Sequence, residues 1–221
     1  MTRRFDLVIF DCDGVLVDSE RLSIRLDAEF LSSLGWELSD DEIVERWVGR
    51  TEAVMKAEIE SQLGREIGAE WDAFAVRYVE AFADELEPVD GVEAAVTAIQ
   101  AAGYATCVAS SGGIDKIRRN LAKTRLLSRF DGRLFSADDV EHGKPEPDLF
   151  LHAAQVMGAE PARTAVVEDS AHGVAAGVAA KMAVFAYAGG VTPADRLAGM
   201  GVEVFDDMRD LPRLLEIGPS D

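Results

Sequence analysis

The chain has 221 residues, 48% of them hydrophobic, and its 41 acidic against 22 basic side chains give a formal net charge of -19. That length suits one large domain or two small ones, and the apolar content excludes intrinsic disorder. The sign of the charge is wrong for a nucleic-acid binder, and no basic stripe is present to neutralise phosphates.

The first apolar run, Leu7–Phe10, is short and partly β-branched, as expected of a buried strand. It ends on Asp11-Cys12-Asp13-Gly14. Residues two apart in an extended segment point the same way, so Asp11 and Asp13 can face one site while Cys12 points elsewhere. Two carboxylates this close raise each other's pKa or need a cation between them. A strand-ending turn would also use Asp and Gly, so the rest of the chain must decide.

A helical stretch follows. Leu22, Leu26, Phe30 and Leu34 recur in four-residue steps, and Gly35 can end that helix. Ser39-Asp40-Asp41-Glu42 is a capping box ahead of Ile43, Val44 and Trp47. Thr51 can cap a third helix with Val54, Met55, Ile59 and Leu63 as its stripe. Trp71, Phe74, Tyr78 and Phe82 mark a fourth, with its aromatics expected in a core. The breakers in Glu87–Gly91 form a linker. Beyond it, helices at 92–102, 114–126, 147–157, 173–180 and 211–215 alternate with strands at 105–109, 133–135, 164–167, 183–187 and 202–205. Such alternation predicts an α/β fold, a Rossmann-like parallel sheet with helices on both faces. The core comprises residues 1–16 and 88–221, interrupted by an all-helical domain at 17–87.

Ligands of such sheets collect at the carboxyl ends of the strands. There the sequence delivers Asp11 and Asp13, then Ser110-Ser111-Gly112-Gly113, then Gly143-Lys144-Pro145-Glu146-Pro147, then Glu168-Asp169-Ser170. Carboxylates from two strands make a hard oxygen cage suited to Mg²⁺. Ser110, Ser111, the glycine N–H groups and Lys144 suit a phosphate. A carboxylate can attack phosphorus, and a second acid can protonate the leaving oxygen and then activate water. Taken singly, each segment has a plainer reading as loop, solvated lysine or helix N-terminus. Their joint placement at successive strand ends is what those readings leave unexplained. Gly143-Lys144 is not a Walker A loop, because Pro145 stands where Ser or Thr is needed.

The segment Phe10–Glu20, with Ser110, Lys144 in Gly-Lys-Pro-Glu-Pro, and Glu168-Asp169, resembles the four ordered motifs of the haloacid-dehalogenase-like phosphohydrolases. The resemblance covers the whole chain. It implies Asp11 as nucleophile, Asp13 as general acid/base, and Ser110 and Lys144 as phosphate ligands. It also implies Mg²⁺ held by Asp11, the Asp13 carbonyl and Asp169, with Glu168 beside them, and a mobile helical cap at 17–87. The chain is similar to the β-phosphoglucomutase-like branch, which includes 6-phosphogluconate and other sugar-phosphate phosphatases. The β-phosphoglucomutases carry a cap His where Ser23 stands, which counts against mutase activity, and Asp13 counts against dehalogenation. Val15 replaces a Thr common in phosphatases and leans weakly the other way. Within Gly49-Arg50-Thr51, Arg50 is the candidate cap contact to substrate.

The expectation is therefore a Mg²⁺-dependent phosphatase for a sugar or sugar-acid phosphate, with a phosphomutase as the rival and a non-enzymatic phospho-receiver as a remote one. Cys12 and Cys107 lie in apolar surroundings, and neither precedes the Arg of a cysteine-dependent phosphatase loop. They are expected to be reduced thiols of a cytoplasmic protein. Arg3 and Arg4 precede no long apolar stretch, so no signal peptide is expected, and no run reaches the roughly 18 apolar residues of a membrane span. Nothing demands more than a monomer. His142 and His172 are expected at the surface or just behind the site, His172 near its edge, and not as metal ligands, since hard oxygen donors already fill the site.

Overall fold

In a computed structural model of the chain, which describes residues 3–47, 52–199 and 201–217, the alternation becomes a six-stranded parallel sheet. Its strands are β1 (Leu7–Phe10), β2 (Ala105–Ser110), β3 (Leu134–Ser136), β4 (Thr164–Glu168), β5 (Ala183–Tyr187) and β6 (Glu203–Phe205). They lie in the order β3-β2-β1-β4-β5-β6. β1 is flanked on both sides, with Phe10 opposite Val108 of β2 and Val167 of β4. The central strands therefore read as near-continuous apolar runs, as a sheet covered on both faces requires.

Two buried layers follow from the two-residue period of the strands. Leu7, Ile9, Cys107, Ala109, Val166, Val184 and Ala186 pack on one face. That face is covered by α7 (Asp148–Met157) and α8 (Ala171–Ala179), through Leu149, Phe150, Ala153, Val174 and Ala176. On the other face Phe10 meets Phe130 edge-on at 5.9 Å. There Gln100 of α5 (Val92–Ala101) donates to Thr106 Oγ1 at 2.8 Å, so that buried hydroxyl is satisfied. α6 (Ile114–Lys123) follows β2, and the short helices α9 (Ala194–Leu197) and α10 (Leu211–Leu214) close the C-terminal part.

The remaining helices are α1 (Ser19–Ser33), α2 (Asp40–Trp47), α3 (Glu52–Leu63) and α4 (Gly68–Glu85). The described chain separates into two compact units, residues 1–18 with 87–221 and residues 19–86. The junctions lie two residues later and one residue earlier than 16 and 88. Backbone pairing is the reason: Val17 bridges Pro88, and the Asp18 N–H donates to the Glu87 carbonyl.

Within the helical unit the capping box forms. Ser39 N–H and Oγ both donate to Glu42 Oε2, at 2.9 and 2.8 Å. Glu58 links α3 to α2 by accepting from Arg46 and from Trp47 Nε1. The aromatic stripe of α4 packs less deeply than expected. Phe74 stacks on Phe30 at 4.3 Å and Tyr78 on Phe82 at 4.6 Å, yet Trp71, Phe74, Tyr78 and Phe82 all stay half-buried and Ala81 is the buried residue of that helix. Val54 is exposed, leaving Met55 and Ile59 as the buried part of its stripe.

Candidate active site

β1 ends in a tight turn that keeps both aspartates at the sheet edge. The Asp11 N–H donates to the Val167 carbonyl, prolonging the ladder by one residue. Leu16 and Val17 N–H groups return to the Cys12 carbonyl, and Gly14 N–H to that of Val17. Gly14 adopts φ 75, and a Cβ there would collide with the Asp169 carboxylate. Only glycine allows that carboxylate to lie against the turn. Cys12 is buried away from the edge, and burial beside Asp13 and Asp11 pushes its thiol pKa up.

Lys144 is the centre of the cluster. Its Nζ donates to Asp11 Oδ1 at 2.6 Å, to Glu168 Oε1 at 2.7 Å and to the Ala109 carbonyl at 3.1 Å. All three ammonium protons thus have acceptors, as a buried lysine requires. Burial alone would lower its pKa, but Asp11 and Glu168 hold it above the ordinary lysine value. The Asp11 carboxyl is pushed up to about 7, first by burial and then by neighbouring Glu168 and Asp13, against the pull of Lys144.

Glu168 spends both oxygens on protein donors. Its Oε2 accepts from the Ser170 N–H at 2.8 Å and from Ser170 Oγ at 3.0 Å. Ser170 in turn caps α8 by accepting from the Gly173 N–H. Glu168 therefore anchors Lys144 and the start of α8. A Cβ on Gly173 would run into its carboxylate.

Asp11, Glu168 and Asp169 are all buried, and each offers an oxygen within 4.8 Å of the others. Three buried carboxylates against one buried ammonium leave surplus negative charge, and the donors are hard oxygens of the kind Mg²⁺ takes. The Gly14 hollow against Asp169 keeps side-chain bulk out of that space. This donor set fits a divalent cation.

The second loop is shaped by β2 and β3. Ser110 is buried and its Oγ accepts from the Gly112 N–H at 3.1 Å. Ser136, opposite Ser110 in the sheet, donates to the Gly112 carbonyl at 2.9 Å. Ser111 is exposed. Asp13 is half-buried at the mouth and is met by two residues the sequence reading did not single out, Lys116 and Asn120 of α6. The loop after β5 is a further addition: a Cβ on Gly190 would lie 3.8 Å from Asp169 Oδ2 and from the Gly14 carbonyl. His172 is exposed, and His142 pairs with Asp148 at the surface. Arg50 lies outside the described residues.

Comparison with known proteins gives the family of the chain. The profile of the haloacid dehalogenase-like hydrolases matches residues 5–181. A 6-phosphogluconate phosphatase of Escherichia coli is 35% identical over 188 residues, 82% of each chain. Hexitol phosphatase B of the same organism is 29% identical over 193 residues, covering 81% of this chain and 82% of that one. A haloacid dehalogenase-like protein of unknown function from Agrobacterium tumefaciens superposes with a TM-score of 0.83 at 33% identity, over 96% of this chain and 98% of that one. A family hydrolase from Deinococcus radiodurans, crystallised with phosphate and sodium, gives 0.89 at 28% identity over 98% and 97%. Among the described residues no helix is long and apolar enough to cross a membrane.

Proposed function

The chain belongs to the haloacid dehalogenase-like hydrolases as a phosphoric monoester hydrolase, and on that premise we propose that it dephosphorylates a small sugar or sugar-acid phosphate, 6-phosphogluconate among the candidates, with Mg²⁺ and through an aspartyl-phosphate on Asp11. The observation that carries the reading is the buried Lys144 joining Asp11 to Glu168 beside Asp169. A receiver-like role is disfavoured by Asp13, a second acid two residues beyond the nucleophile.

Asp11 attacks phosphorus, its O–P bond forming as the ester P–O bond breaks, and Asp13 gives its proton to the departing alkoxide. Water then loses a proton to Asp13 and attacks the same phosphorus, releasing inorganic phosphate and restoring the Asp11 carboxylate. Lys144 holds one Asp11 oxygen, orienting the other, and its charge favours the ionised nucleophile against the burial that raises its pKa. Ser110, whose hydroxyl can donate while it accepts from the Gly112 N–H, is the proposed donor to phosphate oxygens. Mg²⁺ held by Asp11, Asp169 and the Asp13 carbonyl would neutralise charge between carboxylate and phosphate.

The helical unit at 19–86 is proposed as the cap that selects the substrate, with Arg50 as its candidate contact. Ser23, which stands where the mutases carry a His, has its hydroxyl engaged with the Ser19 carbonyl and Tyr78. That supports discharge of the phosphoenzyme to water over transfer to a second sugar hydroxyl. Phosphate release measured over a panel of phosphorylated sugars, sugar acids and nucleotides with Mg²⁺ tests the proposal. Turnover is expected on sugar or sugar-acid phosphates and to vanish in Asp11→Asn; full activity in that variant would sink it.

A further inference from the structure

Asp13 is gripped from one face of α6. Lys116 Nζ donates to its Oδ2 at 2.8 Å, and Asn120 Nδ2 to its Oδ1 at 3.4 Å. Four residues apart on a helix, the two donors lie one above the other. We propose that Lys116 and Asn120 are positioning residues that fix the orientation of the Asp13 carboxylate for proton transfer to the leaving group. The inference rests on the acid/base role proposed above for Asp13.

The torsion that turns a carboxylate about its last bond is broad and roughly two-fold. One donor leaves that rotation soft, whereas two donors on different oxygens fix it. General acid catalysis needs such fixing, because the proton must be delivered at hydrogen-bond range to an oxygen that becomes basic only as its bond to phosphorus breaks. Asn120 is buried beside Ile117 and Leu121 on the inward side of α6. A buried amide is costly there without partners, and Asp13 provides one. Gly112 lies beside the pair: a Cβ on it would meet Lys116 Cδ at 3.4 Å and Asp13 Oδ2 at 3.9 Å, ordinary contact distances. Ser136 holds that same peptide by its carbonyl, so the loop that borders the phosphate pocket also borders the path of Lys116.

The test compares kcat/KM for an alkyl sugar phosphate, whose alkoxide needs a proton, with that for p-nitrophenyl phosphate, whose phenolate leaves without one. This ratio covers the steps up to release of the alcohol and is blind to hydrolysis of the phosphoenzyme. Lys116→Met, at an exposed side chain, is expected to lower the alkyl value ~10-fold or more and the aryl value less than ~3-fold, a part of the 10²–10⁴ that a positioned acid contributes. Lys116→Arg should restore most of the alkyl activity, and Asn120→Ser should act in the same direction as Lys116→Met. An equal fall on both substrates would assign Lys116 to phosphate binding or to structure and overturn the clamp, as would no fall at all. Asp13→Asn separates the two levels of the argument. If it discriminates between the substrates and Lys116→Met does not, the clamp alone fails; if it does not discriminate, the acid/base reading fails and the clamp with it.

Discussion

Replacing Lys144 by Met probes the site through stability rather than turnover. The side chain is 4% exposed and lies between Asp11 and Glu168, themselves 11% and 1% exposed. Its loss leaves two carboxylates buried without their common cation. Breaking a buried pair by removing one partner costs about 3–5 kcal/mol. For a chain of this size each kcal/mol moves Tm by about 2–4 °C, so a fall of about 6–20 °C is expected. The assay is thermal unfolding followed by circular dichroism, in EDTA at pH 8. Arg163→Ala is the control. Arg163 also pairs closely with a carboxylate, Asp6, but both side chains are about half exposed, and solvent screening limits such a pair to about 1 kcal/mol or less. Added Mg²⁺ should recover more Tm in Lys144→Met than in the parent, because it supplies positive charge to the same carboxylates. A Lys144→Met fall no larger than that of Arg163→Ala would refute the claim that the site is organised around a buried ammonium.

Three further outcomes follow from the same geometry. Asp11 is neutralised near pH 7 in the folded metal-free protein and near 3.8 when unfolded; with the folded value raised, its contribution is fully present below the unfolded value and is lost as pH rises through 7. The Tm of the parent minus that of Asp11→Asn in EDTA should therefore fall between pH 5.5 and 8; a pH-independent difference would contradict the raised value. Gly14→Ala should weaken Mg²⁺ binding in a calorimetric titration by about tenfold or more, the scale seen when groups orienting a metal ligand are lost, because its Cβ would displace the Asp169 carboxylate at a backbone φ of 75. Gly173→Ala should lower Tm through Glu168, by about 1–3 kcal/mol of overpacking, and an unchanged Tm would show that the Glu168 carboxylate can move aside.

The core fold was legible because each element advertises itself locally. Leu7–Phe10 is a strand by length and branching, and glycines close several helices where the backbone turns left-handed, Gly35 and Gly103 among them. The site was legible because strand ends in a parallel sheet converge, so reading Asp11, Ser110, Lys144 and Glu168 in order amounts to reading one edge. Other features carry no local signal. α6 stops at Lys123, earlier than its pattern suggests, and Arg125 takes the left-handed conformation (φ 61) that sequence rules reserve for glycine or asparagine. The helix Ala194–Leu197 is too short to show a period. Lys116 and Asn120 look like a solvated lysine and an ordinary helix amide until the fold brings Asp13 to them, more than a hundred residues away in sequence. Nor can the sequence say that both Glu168 oxygens are engaged by Lys144 and Ser170. The α4 aromatics show the converse failure: their spacing fixes which side chains meet, whereas the depth of burial depends on what else covers them.

The central claim is that Asp11 carries the phosphoryl group. Acid-quenching the enzyme within a single turnover with Mg²⁺ and labelled substrate, then reducing the trapped acyl phosphate with borohydride, tests it at the residue itself. The account predicts homoserine in place of Asp11 in the tryptic peptide 5–21, with Asp13 unmodified. Turnover with no modification at Asp11, or with the label on Asp13, would contradict it.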